Sequence, residues 1–266
     1  MKKSATVLII SILIYVISLQ CEKEKSGLIS KNQEIQFGKQ LDSLVINSPE
    51  DYNIADEHEY SNAYSYMYNM MNKILESGYL NRKEYFEWKL RIIDEDVLNA
   101  FAVPGGYLYF YTGLMQYLDN EAQLAGVMAH EIAHVDRRHS AQQLERELAL
   151  SVIISIILGK NPSQLEEYAG ALAKGLSSLA FSRNHEYEAD EFAVKYTSDT
   201  DYNPRGISGF FNKMEEAKTV RYPEFLSTHP DPGNRLEAID EVWKEIGSPG
   251  GLDYESEYAI FLGYLP

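Results

Sequence analysis

The sequence predicts an α+β fold, predominantly helical, with a small antiparallel sheet beside one central helix. Residues 120–148 carry apolar positions at helical spacing around His130-Glu131-Ile132-Ala133-His134. Residues 89–111 read as short extended runs interrupted by Pro104-Gly105-Gly106. Further segments open on helix-start signals, and no internal repeat interrupts them.

The elements follow in order. Residues 34–45 read as a helix. Residues 60–80 read as a second, with Tyr64, Met67, Tyr68, Met71 and Leu75 at helical spacing, a stripe expected to be core. Residues 89–93 and 97–101 are extended runs, and the aromatic run 107–111 has high strand propensity. Pro104-Gly105-Gly106 is turn chemistry. One edge of the sheet is expected beside the site described below. There an extended peptide adds by main-chain hydrogen bonds, with loose sequence specificity.

Asn120, with Gln123 three residues on, starts the central helix in the manner of a capping box. Leu124, Val127, Met128, Ile132 and Val135 form its apolar stripe, and the helix is expected to run through Leu144 to Leu148. The apolar run 148–158 is too short for a membrane span and reads as a buried helix. Asn161-Pro162 and Asn203-Pro204 start two more helices, a cap followed by Pro, the second ending near Lys218.

The segment HEIAH solves a chemical problem by spacing. Residues four apart share a helix face, so His130 and His134 can point at one metal ion. Glu131 leans toward the same cleft, where it takes the proton of an attacking water. A catalytic zinc needs a third protein ligand and an open fourth position. His139, five residues past His134, falls on another face and is a weak candidate. The stronger segment is Ser182-Arg183-Asn184-His185-Glu186-Tyr187-Glu188-Ala189-Asp190. Glu186 and Asp190 are four apart on one face: one ligates and the other orients a ligand imidazole. His185 is a rival ligand about 100° round the helix. Glu188 is expected to be solvated.

HEIAH followed by this SRxxExEAD segment resembles the gluzincin peptidases of the CAAX prenyl protease and HtpX group. The likeness is to their soluble envelope branch of BepA-, LoiP- and Oma-like proteases. It extends to Asn99-Ala100-Phe101-Ala102-Val103-Pro104-Gly105-Gly106-Tyr107, to Gly113-Leu114, and to Thr228-His229-Pro230 with Arg235. It covers roughly residues 30 to 245. The resemblance implies a zincin-type metalloprotease domain, one zinc held by His130, His134 and Glu186, Glu131 as general base and Asp190 in support. It also implies His229 and Arg235 near the metal. Either residue would stabilise the oxyanion, or His229 would fill the open position and hold the enzyme latent. The plainer alternative makes His229 a capping neighbour of the last helix. Asn99 either binds substrate backbone or stabilises the turn. Gly105 and Gly106 belong to the same expected substrate-binding stretch.

The chain start sets the expected compartment. Lys2 and Lys3 precede an apolar stretch ending at Cys21, the one cysteine of the chain. Residues 1–20 therefore read as a signal peptide of lipoprotein type, with Cys21 lipidated on cleavage and anchored to a membrane. Ser18-Leu19-Gln20 is an imperfect recognition sequence for that cleavage. Residues 21–33 read as a tether, 34–246 as the metallopeptidase domain, and 247–266 as a tail packing on it. With one cysteine, no intrachain disulfide forms. Removal of residues 1–20 takes out two lysines and no acid, moving the net charge from −16 to −18. Such acidity argues against nucleic acid or anionic lipid as an electrostatic partner. Neither a tetratricopeptide array nor multiple membrane spans are expected.

The function expected from these residues and this resemblance is a zinc endopeptidase of the bacterial envelope or periplasm, acting on misfolded or misassembled envelope proteins. The alternative is a chaperone or assembly factor on the same fold, for which an intact Glu131 has no use. A structural zinc with four closed protein ligands is a third reading.

Overall fold

The computed structural model describes residues 29–147, 179–216, 223–230 and 233–266. The signal segment with Cys21, the run 148–158 and the Asn161-Pro162 helix start lie outside these residues. The helices are α1 (Lys31–Ile46), α2 (Ser61–Leu75), α3 (Thr112–Tyr117), α4 (Glu121–Asp136) and α5 (residues 139–147). After them come α6 (Arg183–Ser198), α7 (Gly206–Glu216), α8 (Pro223–Thr228), α9 (Arg235–Glu245) and α10 (Glu255–Leu262). Among the described residues no helix is long and apolar enough to cross a membrane.

Helix α4, which carries HEIAH, is the centre around which the rest packs. All 16 of its residues are buried, the pattern of a helix enclosed on every side. The apolar stripe read from the sequence is one face of it. Ala122, Ala125, Gly126, Ala129 and Ala133 are buried as well, and their small side chains let neighbours come close. α6, α7, α2 and strand β2 all pack against α4. A Cβ at Gly126 would stand 2.4 Å from Ile207 N, so α7 rests directly on the α4 backbone there. Asn120 caps the helix, accepting from Gln123 N at 2.9 Å. The Gln123 side chain accepts from Asp119 N instead of the cap residue's own N–H, a shifted form of the expected box.

α4 does not continue to Leu148. It stops at Asp136, Arg137 caps it, and Arg138 adopts φ 68 before α5 begins. Side-chain anchors hold this left-handed turn, which is costly for a residue with a Cβ. Arg138 pairs with Glu34 at 3.2 Å and donates to Ile29 O at 2.8 Å. Asp136 accepts from Asn81 N and Arg82 N, and its carbonyl accepts from the Arg82 guanidinium. These anchors come from residues distant in sequence, so helical period alone does not register them.

The sheet is β1 (Lys89–Ile93), β2 (Ala100–Val103) and β3 (Tyr107–Tyr111), in the order β1-β3-β2. β2 and β3 are antiparallel as expected, but β1 is parallel to β3, so the sheet is mixed. Linker 94–99 is long enough to set β2 two strand spacings from β1, about 10 Å. The tight turn at Gly105 and Gly106, φ +89 and +93, then folds β3 into the gap. Every residue of β2 and β3 is buried. Leu108, Phe110, Ala100 and Ala102 face the α4 side of the core. Phe101, Val103, Tyr107, Tyr109 and Tyr111 pack with Leu41 and Val45 of α1. On that side Phe101 stacks on Tyr109 with centroids 4.5 Å apart. Tyr109 donates to Asp42, which also pairs with Arg91.

α1 begins earlier than expected because Ser30 and Gln33 form a reciprocal capping box. Tyr64, Met67, Met71 and Leu75 of the α2 stripe are core as read, joined by Met70 and Ile74, while Tyr68 is half-buried against that core. Tyr258 and Phe261 of α10 are buried in the same core, and Phe261 stacks on Tyr66 at 4.3 Å.

The contact of α7 on α4 gives a stability test. Gly126→Ala forces a methyl against the Ile207 backbone and lowers unfolding free energy by about 1–3 kcal/mol, as overpacking does. Urea titration of the two proteins checks it; equal midpoints would show that α7 shifts freely.

Candidate metal centre

Four elements deliver side chains to one point. α4 brings His130, Glu131 and His134. α6 runs alongside, capped by Ser182, whose hydroxyl accepts from His185 N at 3.2 Å, so Glu186 falls in its first turn. The end of α8 delivers His229, whose N–H still donates to Phe225 O at 2.8 Å. The start of α9 delivers Arg235.

His130, His134, Glu186 and His229 each offer one donor atom, all within 4.8 Å of one another, and all four residues are buried. The closest contacts among them run from 3.0 to 3.5 Å. Nε2 of His130 and Nε2 of His134 are 3.0 Å apart. Glu186 lies 3.5 Å from each of these nitrogens. His229 Nδ1 lies 3.3 Å from His130 Nε2 and 3.3 Å from Glu186 Oε1. A tetrahedron with bonds of about 2.0–2.1 Å has edges of about 3.3–3.4 Å. These closest approaches are near such an edge length, and the group could hold a metal ion.

Polar atoms left without partners point the same way. Among the described residues Glu186 Oε1 and both carboxylate oxygens of Glu131 are buried and accept no hydrogen bond. A buried carboxylate with nothing to bind is costly. Glu131 Oε1 lies 3.4 Å from His229 Nε2. Burial pushes its carboxyl above the usual range, partly offset by His229 and His130.

Charge around the donors is compensated on one side. His130 Nδ1 stands 2.9 Å from Asp190 Oδ1. The Arg235 guanidinium donates to Asp190 at 2.5 and 2.8 Å and to Glu186 Oε2 at 3.0 Å. Burial pulls the His130 imidazole down, but Asp190 and Glu186 outweigh it and hold it up at about 9. Burial, reinforced by the charge on His130, drives His134 well below its ordinary value. Burial works against ionised Glu186, yet His229 and His130 hold its pKa well below the usual carboxylate range.

A family model described as Peptidase family M48 matches residues 65–243, more than half of the chain. The chain belongs to peptidase family M48. Among curated relatives, it is 34% identical over 158 residues to a beta-barrel assembly-enhancing protease of Yersinia pestis, covering 54% of this chain and 32% of that protein. The namesake from Escherichia coli K12 is 35% identical over 156 residues, with the same coverage. A mitochondrial metalloendopeptidase OMA1 of Schizosaccharomyces pombe is 30% identical over 161 residues, 58% of this chain and 46% of that one. The matched region thus spans a third to a half of these relatives' lengths.

The other sequence candidates of this M48 domain divide. Glu186, not His185, joins the donor group. His185 stacks on His139 with centroids 4.3 Å apart and approaches Gln142; burial lowers it to about 4. His139 is outside the group but touches it, its Nδ1 3.1 Å from His134 Nδ1. Glu188 is not simply solvated: it pairs with His139 at 3.1 Å and Arg137 at 2.7 Å. The hydrogen bond from His139, against some burial, holds Glu188 down at about 2.

Asn99 is buried, close to Thr228 Oγ1 at 3.4 Å, and ties the sheet to the His229 segment. Gly105 and Gly106 do not reach the donors. They turn against α1 and against Phe86 and Trp88. The expected sheet edge is β2, and it faces the centre. Ala100 O lies 3.4 Å from His229 Nε2, and Ala102 O accepts from Ser140 Oγ at 3.1 Å. Phe181 was not anticipated. It stacks on the His134 ring at 3.7 Å and donates its N–H to Thr228 O. Its position just before the Ser182 cap is the signal that marks it.

Arg235 neutralises two buried carboxylates, so its loss leaves them uncompensated. Arg235→Gln is expected to destabilise the chelator-treated protein by about 3–5 kcal/mol. Denaturant unfolding measures this, and a change below about 1 kcal/mol would contradict the ion-pair account.

Proposed function

We propose that this M48 protein is a zinc-dependent endopeptidase of the bacterial cell envelope. The observation that carries the reading is Glu131, buried and accepting no hydrogen bond among the described residues, beside a group of four donors that could hold a metal ion. A purely structural metal site has no use for that carboxylate. His130, His134 and Glu186 are the proposed ligands. Asp190 fixes the His130 ring through Nδ1, leaving Nε2 for the ion. When bound, zinc supplies Lewis acidity to the scissile carbonyl and to the attacking water.

Glu131 takes the proton from that water and returns it to the leaving amine. Its raised pKa makes the carboxylate a stronger base for the first of these transfers. Both donating edges of Arg235 that face the carboxylates are engaged, which favours a positioning role over a direct oxyanion contact. β2 is the proposed docking edge for an extended substrate, once Ala100 O and Ala102 O are released by His229 and Ser140.

His229 occupies the fourth corner, which supports the latent form over the oxyanion role: the residue closes the position that water and substrate need. Proposed substrates are misfolded or misassembled envelope proteins; the bacterial relatives' name, beta-barrel assembly-enhancing protease, supports the coarser reading of a protease of the envelope. Anchoring through lipidated Cys21 completes the proposal. The name assembly-enhancing also supports a second reading, a chaperone or assembly factor on the same fold.

Casein cleavage by the full chain decides between them. Glu131→Gln is expected to lower cleavage by about 10²–10⁴-fold while zinc content stays equal to wild type. Equal activity in both proteins, or none in either after His229 is replaced, would sink the peptidase reading. His229→Ala is expected to raise cleavage above wild type with zinc retained; a fall would return His229 to the oxyanion role.

A further inference from the structure

The turn at Arg138 does more than end α4. A helix continued through it would carry His139 well away from the His134 face, about 140° round the axis. The left-handed residue instead folds the chain back and buries the His139 ring under His134. The two rings meet nearly at right angles, 71°, with Nδ1 facing Nδ1 at 3.1 Å. His139 Nε2 then faces Glu188 Oε2 at 3.1 Å, and Glu188 Oε1 accepts from Arg137 Nε at 2.7 Å. The Arg137 guanidinium lies over the Phe192 ring, 4.2 Å from its centroid.

Proton placement along this chain has one consistent solution. His134 presents Nε2 to the donor group, so as a neutral ligand it carries its proton on Nδ1. A hydrogen bond to His139 then requires an unprotonated Nδ1 on His139, which places the His139 proton on Nε2. That N–H points at Glu188, an acceptor fixed in turn by Arg137. Every donor meets an acceptor only in this arrangement.

We propose that His139 is the positioning residue for the metal ligand His134, held in its accepting tautomer by the Glu188–Arg137 pair. His134 is thereby supported from behind as His130 is by Asp190, but through an intervening imidazole. The inference rests on the proposal that His134 is a ligand. Outer partners of this kind are typically worth about 10–100-fold in metal affinity.

Zinc affinity of the full chain, measured by competition with a chromophoric chelator, tests it without relying on activity. His139→Leu removes the acceptor and is expected to weaken zinc binding about 10–100-fold. His139→Asn places an amide oxygen where Nδ1 stands and is expected to restore most of the affinity. Glu188 is 37% exposed, so Glu188→Ala should fold even where a core replacement does not. It is expected to weaken zinc binding in the same direction by a smaller factor. Wild-type affinity in His139→Leu or Glu188→Ala, or equal losses in His139→Leu and His139→Asn, would overturn the proposal. Wild type binding no zinc would remove the ligand reading itself, and this inference with it.

Discussion

The constraint on which the structure depends is the packing of three imidazoles and a carboxylate into a space closed to water. Their donor atoms all lie within 4.8 Å of one another, with closest contacts of 3.0 to 3.5 Å. Such a group is stable only with positive charge at its centre or strong compensation at its rim. The rim is what the chain provides itself: Arg235 against Asp190 and Glu186, and Glu188 with Arg137 behind His139. The centre is what a cation provides.

The fold follows from holding those atoms still. Both histidines of HEIAH sit on a helix buried on every face, so neither ring has room to swing away. Alanine and glycine on its outer faces let α7 and α6 approach closely, which brings Glu186 and Asp190 within reach. The sheet lies across the same helix and turns its β2 edge toward the centre. His229 arrives last in sequence, at the end of α8, and bridges the donors to that edge through Ala100 O. Donor group, Glu131 and sheet edge are therefore contiguous.

Much of this was legible because it is local. The i, i+4 spacing of His130 and His134, and of Glu186 and Asp190, fixes shared faces before any fold is known. The α2 stripe and the strand runs follow from period and propensity in the same way. What was not legible depends on distant partners. The break at Arg138 is held by Glu34, Ile29, Asn81 and Arg82, none of which is visible in a helical pattern. Glu188 looked solvated because its partners, His139 and Arg137, lie across that break. The parallel pairing of β1 depends on the span of linker 94–99, not on strand composition. The close contact of Gly105 with α1 and of Gly106 with Phe86 is likewise invisible in the local sequence. The run 148–158 lies beyond the described residues.

The central claim is that the four donors form a metal site with Glu131 poised beside it. Diffraction data collected on either side of the zinc absorption edge, from crystals of the zinc-loaded full chain, test it most directly. The account predicts one anomalous peak about 2.0–2.2 Å from His130 Nε2, His134 Nε2, Glu186 and His229 Nδ1, with the Glu131 carboxylate facing the ion and not bound to it. A peak elsewhere, none at full zinc loading, or Glu131 turned into the core away from the ion would contradict it.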